Sequence, residues 1–380
     1  MDFKEIGSEF WLDSGGSIED MAPIDMGSLL GGALNIGADQ RLLLSGRTAI
    51  DYVLWDIQAP IKRVYMPSYC CQSMLQPFIH RGISMDFYDV ILDARGLSYT
   101  IDLNRETDIF FASSYFGYDC TNMDEAIGEF KDRNIIVIED TTHRLLGEPS
   151  HCKRADYLIA SLRKWFALPT GGIAIKMGGE FKEMDISPPP ADLVNKKVQA
   201  MIKKGKYIKG NYIQEDYIQE ENIKDEFLRL FSEFNLALGQ NYKNMGMDHI
   251  SKKLLSKINI EEIREKRRQN ADYLHSNLHS RLRGSDYIKP LFKDINIKSD
   301  CPLFVPIIID EGIRDPLRTY LIKNDIFCPV HWPIPQGHKL DFHTEEIYKR
   351  ELSLICDQRY GIKEMQSMMD SLEGFISTYD

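Results

Sequence analysis

The stretch that decides the fold is residues 134–177, NIIVIEDTTHRLLGEPSHCKRADYLIASLRKWFALPTGGIAIKM. It holds three short apolar runs, NIIVIED (134–140), DYLIAS (156–161) and GGIAIKM (171–177). Runs this short and this apolar suit strands buried on both faces, as in a sheet covered by helices. Two of them end on reactive groups. The first delivers Glu139 and Asp140, with His143 three positions on; the second delivers Ser161 and, within one turn, Lys164. Open α/β sheets bind ligands at the carboxyl ends of their strands, so these are candidate site residues.

Working outward, the same kind of run recurs at RVYM (63–66), SMDFYDV (84–90) and DIFFASS (108–114), and the amphipathic MDEAIGEFKDR fits a crossover helix. The class is α/β with a mostly parallel sheet. A helical pattern is expected from Arg41 to about Ala59. SPPPADL (187–193) breaks the alternation, and the charged stretch 194–234 reads as a helical insertion, its 194–226 run as a solvated extension. Its YIKGN, YIQED and YIQEEN segments step by five residues, which fits neither helix nor strand. Residues 249–283 read as one long helix. CPLFVPIIIDE is then a strand, RDPLRTYLIKND a helix, HWPIP a stiff loop and KEMQSMMDSLEGFI a last helix. The expected organisation is an arm (1–40), a large domain (41–248) and a smaller α+β domain (249–380).

Composition narrows the function. A net charge of -11 and a pI near 5.4 argue against nucleic-acid binding, which needs a basic face. The seven cysteines show no zinc-ligand spacing and read as free thiols of a reducing compartment, with no metal site. The N-terminus, MDFKEIGSEFWLD, lacks a signal peptide's apolar core. No apolar run approaches the roughly 20 residues of a membrane helix. A cytoplasmic protein without membrane association is expected.

A third segment, LLLSGRTAI (42–50), is a small turn opening a helix, a geometry that cradles phosphate with backbone N–H groups and the helix dipole. Chemistry on pyridoxal 5'-phosphate (PLP) needs a lysine to carry the cofactor, a carboxylate to keep its ring nitrogen protonated, and an anion site for its phosphate. Lys164, Asp140 and the SGRT turn provide one of each.

Seven segments in order then resemble the DegT/DnrJ/StrS family of PLP-dependent sugar aminotransferases. They are SGRTAI, MPSYCCQSM, SSYFGYDCTNMDEA, IEDTTHRLLG, LGQNYKNMGMDHI, EKRRQNADYLHSNL and RDPLRTYLIKNDIFCPVHWPIP. The resemblance implies the type I PLP-transferase fold, with a seven-stranded-type sheet between helices and a smaller C-terminal domain. It implies that Lys164 carries the cofactor as a Schiff base and that Asp140 pairs with the ring nitrogen. His143, where the family has Gln, touches the ring oxygen. Gly46, Arg47 and Ser161 hold the phosphate, with Thr48 helping. Asn241 reaches the neighbouring subunit's site, with Lys243 beside it, so a homodimer with shared sites is implied. The HWPIP loop, with His331 and Trp332, lines the substrate pocket. Three features depart from the family. Ser161 precedes Lys164 by three residues instead of five. Cys71 stands where an aromatic stacks on the ring, with Tyr69 a substitute. The NMG stretch after Lys243 reads as a small insertion. Arg359 is a candidate for the amino donor's carboxylate, with a structural ion pair as the alternative. The implied activity is transfer of an amino group, from Glu or Gln, to a nucleotide-linked keto-sugar in amino-sugar or surface-polysaccharide biosynthesis. Another PLP reaction on a non-sugar substrate, or a non-catalytic regulator, are the alternatives. The family's dehydratase branch carries histidine in place of Lys164.

Overall fold

The computed structural model describes residues 5–13, 39–118, 122–148, 151–210, 217–282 and 287–379. In chain order the elements are β1 (Ile6–Gly7), β2 (Asp39–Leu43), α1 (Gly46–Asp56), β3 (Arg63–Pro67), α2 (Gln72–Ile79), β4 (Ser84–Leu92) and β5 (Leu97–Thr100). Then come β6 (Ile109–Ser113), α3 (Met123–Asp132), β7 (Ile136–Asp140), β8 (Tyr157–Ala160), β9 (Gly172–Lys176), α4 (Ala191–Lys209) and α5 (Tyr217–Gln240). The rest are α6 (His249–Leu255), α7 (Ile260–Arg281), β10 (Ile288–Pro290), β11 (Val305–Ile309), α8 (Arg314–Lys323), β12 (Ile326–Phe327), α9 (Phe342–Arg350), β13 (Glu351–Leu354) and α10 (Ile362–Tyr379).

Eight strands form one sheet in the order β2-β9-β8-β7-β6-β3-β4-β5. The central pairs are parallel, while β2, β9 and β5 run antiparallel to their neighbours. Every residue of β6 and β8 is buried, which is what their unbroken apolar runs require of a sheet covered on both faces. The sheet is thus mostly parallel, with the β4–β5 hairpin adding an eighth strand to the seven expected. Asp39–Leu43 is a strand, not the start of a helix: it pairs with β9 from Asp39↔Lys176 to Leu43↔Gly172. The helix begins only after Ser45, whose Oγ accepts the Thr48 N–H at 3.2 Å.

The charged stretch is a helical hairpin with a buried seam, not a solvated extension. Met201, Ile208, Phe227 and Phe231 pack together, and the segment 10–12 lies against them. Lys197 and Lys204 are buried because acidic partners meet them: Glu9 lies 3.0 Å from Lys197 Nζ and Glu5 2.9 Å from Lys204 Nζ. The segment 249–283 is two helices. Asn259 starts the second by accepting the Glu262 N–H at 3.3 Å. Beyond them, β10-β11-β13 form an antiparallel sheet covered by α7, α8 and α10 around Leu274, Ile307, Leu321 and Met368.

Candidate active site

Strand register brings the first groups together. Ser113, Asp140 and Ile159 are neighbours at the carboxyl ends of β6, β7 and β8. The chain past β7 is then folded back on itself. Asp140 Oδ1 accepts the Thr142 N–H at 2.9 Å, and Thr142 Oγ1 accepts the Ser161 N–H at 3.0 Å. Thr142 O takes the indole N–H of the fully buried Trp165 at 2.6 Å. These bonds fix the 3-10 turn Leu162–Lys164, which turns the Lys164 side chain out of the core. Leu162 N–H bonding Gly171 O at 3.1 Å ties the same turn to the start of β9.

Asp140, Lys164, Gly46, Arg47, Cys71 and Ser161 line one cavity of about 330 Å³. His143 and Trp332 also line it. Burial pushes the Asp140 carboxyl up to about 6; its hydrogen bonds from Thr142 and the charge of Lys164 act the other way. His143 is buried and held well below the usual imidazole range, first by burial and then by His331 and Lys164. Its Nδ1 accepts the Phe116 N–H at 3.1 Å, which assigns the proton of the neutral ring to Nε2.

One part of the same cavity is built for an anion. α1 presents its N-terminus there without an acidic residue in its first turn. A Cβ on Gly46 would stand 3.1 Å from the Ser161 Cβ, so glycine keeps this cradle open. Arg47 Nε, Arg163 Nε and Ser114 Oγ belong to cavity-lining residues and are buried without a hydrogen-bond partner. Buried polar atoms are nearly always paired, so these three mark where a polar ligand belongs.

Other expected residues lie elsewhere. Thr48 is buried, and its hydroxyl donates to Tyr242 O at 2.8 Å. Tyr69 is fully buried with its hydroxyl on His331 O, so it offers no ring face to the cavity. His331 lies behind Trp332, bonded through Nδ1 to Ser353 Oγ at 2.9 Å. Burial pushes the neighbouring Glu351 up to about 8. Arg359 is the structural ion pair: it meets Asp357 at 2.7 Å and donates to Gly7, Ser8 and Glu9 carbonyls, away from the cavity. Asn241 and Lys243 are exposed beyond the end of α5 and do not line it.

Sequence reasoning missed Ser114, Arg163 and Asn235. Ser114 had a signal, one residue past an apolar run. Arg163 and Asn235 had none, since each is an ordinary polar residue of a turn or helix.

Among the described residues no helix is long and apolar enough to cross a membrane. No group of three or more His, Cys, Asp or Glu among them is placed to hold a metal ion.

No family model and no curated protein matches the sequence. Solved structures do. PseC of Helicobacter pylori, an aminotransferase involved in the biosynthesis of pseudoaminic acid, is 16% identical, with 98% of this chain and 100% of that one covered and a TM-score of 0.62. NtdA from Bacillus subtilis, solved with the bound cofactor PMP, is 16% identical, with 96% and 78% covered and a TM-score of 0.61. A DegT DnrJ EryC1 StrS aminotransferase from Brucella abortus is 15% identical, with 91% and 88% covered and a TM-score of 0.58. Identities this low carry the architecture alone, and by its architecture the chain has the fold of the DegT/DnrJ/EryC1/StrS aminotransferases.

Proposed function

We propose that the protein is a PLP-dependent aminotransferase that moves an amino group from an amino-acid donor to a keto-sugar. The observation that carries the reading is a single cavity with Asp140 and Lys164 on its walls and an anion cradle at the N-terminus of α1. The residues fit the cofactor. Lys164 would hold it covalently, and the Asp140 carboxylate would receive the ring N–H. His143 Nε2–H would be free to donate to the ring oxygen, and the orphaned Arg47 Nε to meet the phosphate. When bound, PLP supplies an electron-accepting ring. The protein would move the proton: once the donor's amine has displaced Lys164 Nζ from the cofactor, the freed amine would take the proton from the donor's Cα and pass it to the cofactor carbon that had carried Lys164. Cys71, Ser73 and Trp332 line the same cavity.

Two finer points belong to the same proposal. The acceptor is a nucleotide-linked sugar, supported by the aminotransferase neighbours, of which DesI was solved in the presence of its TDP-sugar product. The active unit is a homodimer, supported by Asn241 and Lys243 standing exposed at the end of a helix whose Asn235 and Leu238 line the cavity.

The test is chemical. Borohydride reduction of the PLP-treated protein, followed by peptide mapping, should place the label on Lys164; a label on another lysine overturns the site. The pyridoxamine-phosphate form is then offered nucleotide keto-sugars and simple 2-keto acids. Turnover with small keto acids alone would overturn the sugar reading.

A further inference from the structure

Behind Lys164 lies a second cavity of about 200 Å³ that shares Ser161, Arg163, Lys164 and Asn235 with the first and adds Glu9 and Lys197. Its charges are uneven. Lys197 is buried, packed 4.3 Å from the Phe231 ring centre and 5.2 Å from that of Phe234, and it takes the Glu9 carboxylate at 3.0 Å. That contact uses the acidic group of the cavity. Arg163, its guanidinium carbon 5.7 Å from the Phe234 ring centre, keeps its Nε buried with no hydrogen-bond partner. A guanidinium presents a planar fork of donors that matches the oxygens of phosphate or carboxylate, and charge-assisted bonds of that kind are the strong ones. The Glu9 charge acts on Arg163, but Nε has no hydrogen-bond acceptor; a buried N–H left so is costly, and a ligand oxyanion is the acceptor it lacks.

We propose that Arg163 binds a ligand oxyanion at the junction of the two cavities, an inference that rests on the PLP reading above. Two oxyanions reach this point: the cofactor's phosphate from the first cavity, and the carboxylate of the amino donor from the second. Arg163 thereby takes the anion-binding part that the sequence suggested for Arg359.

The experiment uses the full chain with Arg163→Gln and Arg163→Lys. PLP and phosphate-free pyridoxal are titrated by absorbance. The donor concentration that half-bleaches the PLP-loaded protein is measured separately. If phosphate is the partner, Arg163→Gln weakens PLP about tenfold or more and leaves pyridoxal unchanged. If the donor's carboxylate is the partner, PLP is unchanged and the half-bleaching concentration rises about tenfold or more. Arg163→Lys should recover part of either loss. A folded Arg163→Gln protein equal to wild type in both titrations overturns the proposal, as does equal loss of PLP and pyridoxal. In case Arg163→Gln does not fold, wild type and Arg163→Lys are titrated with inorganic phosphate and with glutarate. A rise in melting temperature that is smaller in Arg163→Lys supports the inference; equal rises, or none, overturn it. Failure of the cofactor reading looks different, because PLP then produces no absorption change in wild type while the anion titrations still report on Arg163.

Discussion

Asp140 carries the clearest pH signature of the site. Its folded-state pKa, about 6, lies above its ordinary value chiefly because the carboxyl is buried. A raised carboxyl opposes folding once it ionises, so the ligand-free protein should lose stability as pH rises from about 4 to about 6, by at most about 3 kcal/mol. Comparing melting temperatures of wild type and Asp140→Asn across that range isolates the effect; parallel curves would disprove it. PLP affinity should change in the opposite sense, tightening over the same rise, because a cationic ring prefers the ionised carboxylate. Asp140→Asn should still bind PLP yet turn over about a hundredfold or more slowly. Wild-type rates in that variant would make Asp140 structural only. Asp140 was legible in the sequence because an apolar run ends on it. Arg163 was not, because nothing in a sequence separates a buried unpaired guanidinium from a solvated one.

At the scale of elements, the anion cradle depends on how tightly β9 enters beneath the turn before α1. A Cβ on Gly172 would fall 2.1 Å from Ser45 O and 2.8 Å from Gly46 N. Gly172→Ala should therefore displace that turn, costing about 2 kcal/mol or more. It should also weaken PLP binding more than pyridoxal binding. Thermal melts and the two titrations check this, and an unchanged PLP/pyridoxal ratio would contradict it. The strands of the central sheet were readable because both faces are buried and their runs stay apolar. Leu42–Leu44 misled, since three leucines before a helix cap extend the apolar pattern while backbone pairing with β9 makes part of it a strand. The charged hairpin misled for another reason. Lys197 and Lys204 count as surface residues until Glu9 and Glu5, nearly 200 positions away, are seen to neutralise them.

At the scale of the whole molecule, the chain's beginning is bolted across its later parts. Arg359 pairs with the buried Asp357, donates to three carbonyls of residues 7–9 and lies 4.3 Å over Phe10 and 5.0 Å over Trp11. Arg359→Ala strands the Asp357 charge and should cost about 3–5 kcal/mol. Denaturant unfolding measures this; a loss below about 1 kcal/mol, the scale of a surface pair, would show the contact to be peripheral. The later α+β pattern was readable in outline, because its strands and helices alternate as the runs after residue 287 suggest. This fastening was not, because it joins residues some 350 positions apart through backbone carbonyls, which leave no mark on composition.

The same fastening has a consequence in time. Residues 6–12 are held at both ends as well as along their length, with Ile6 N–H on Asp325 O beside β12 and Leu12 N–H on Met201 O of α4. Glu9 sits midway, on the wall of the second cavity. A span held at both ends opens as one piece, so the amides of Ile6 and Leu12 should exchange with deuterium at one common rate. The chamber behind Lys164 then has a wall fastened to the far sheet, and a ligand lodged there should slow exchange at both anchors together.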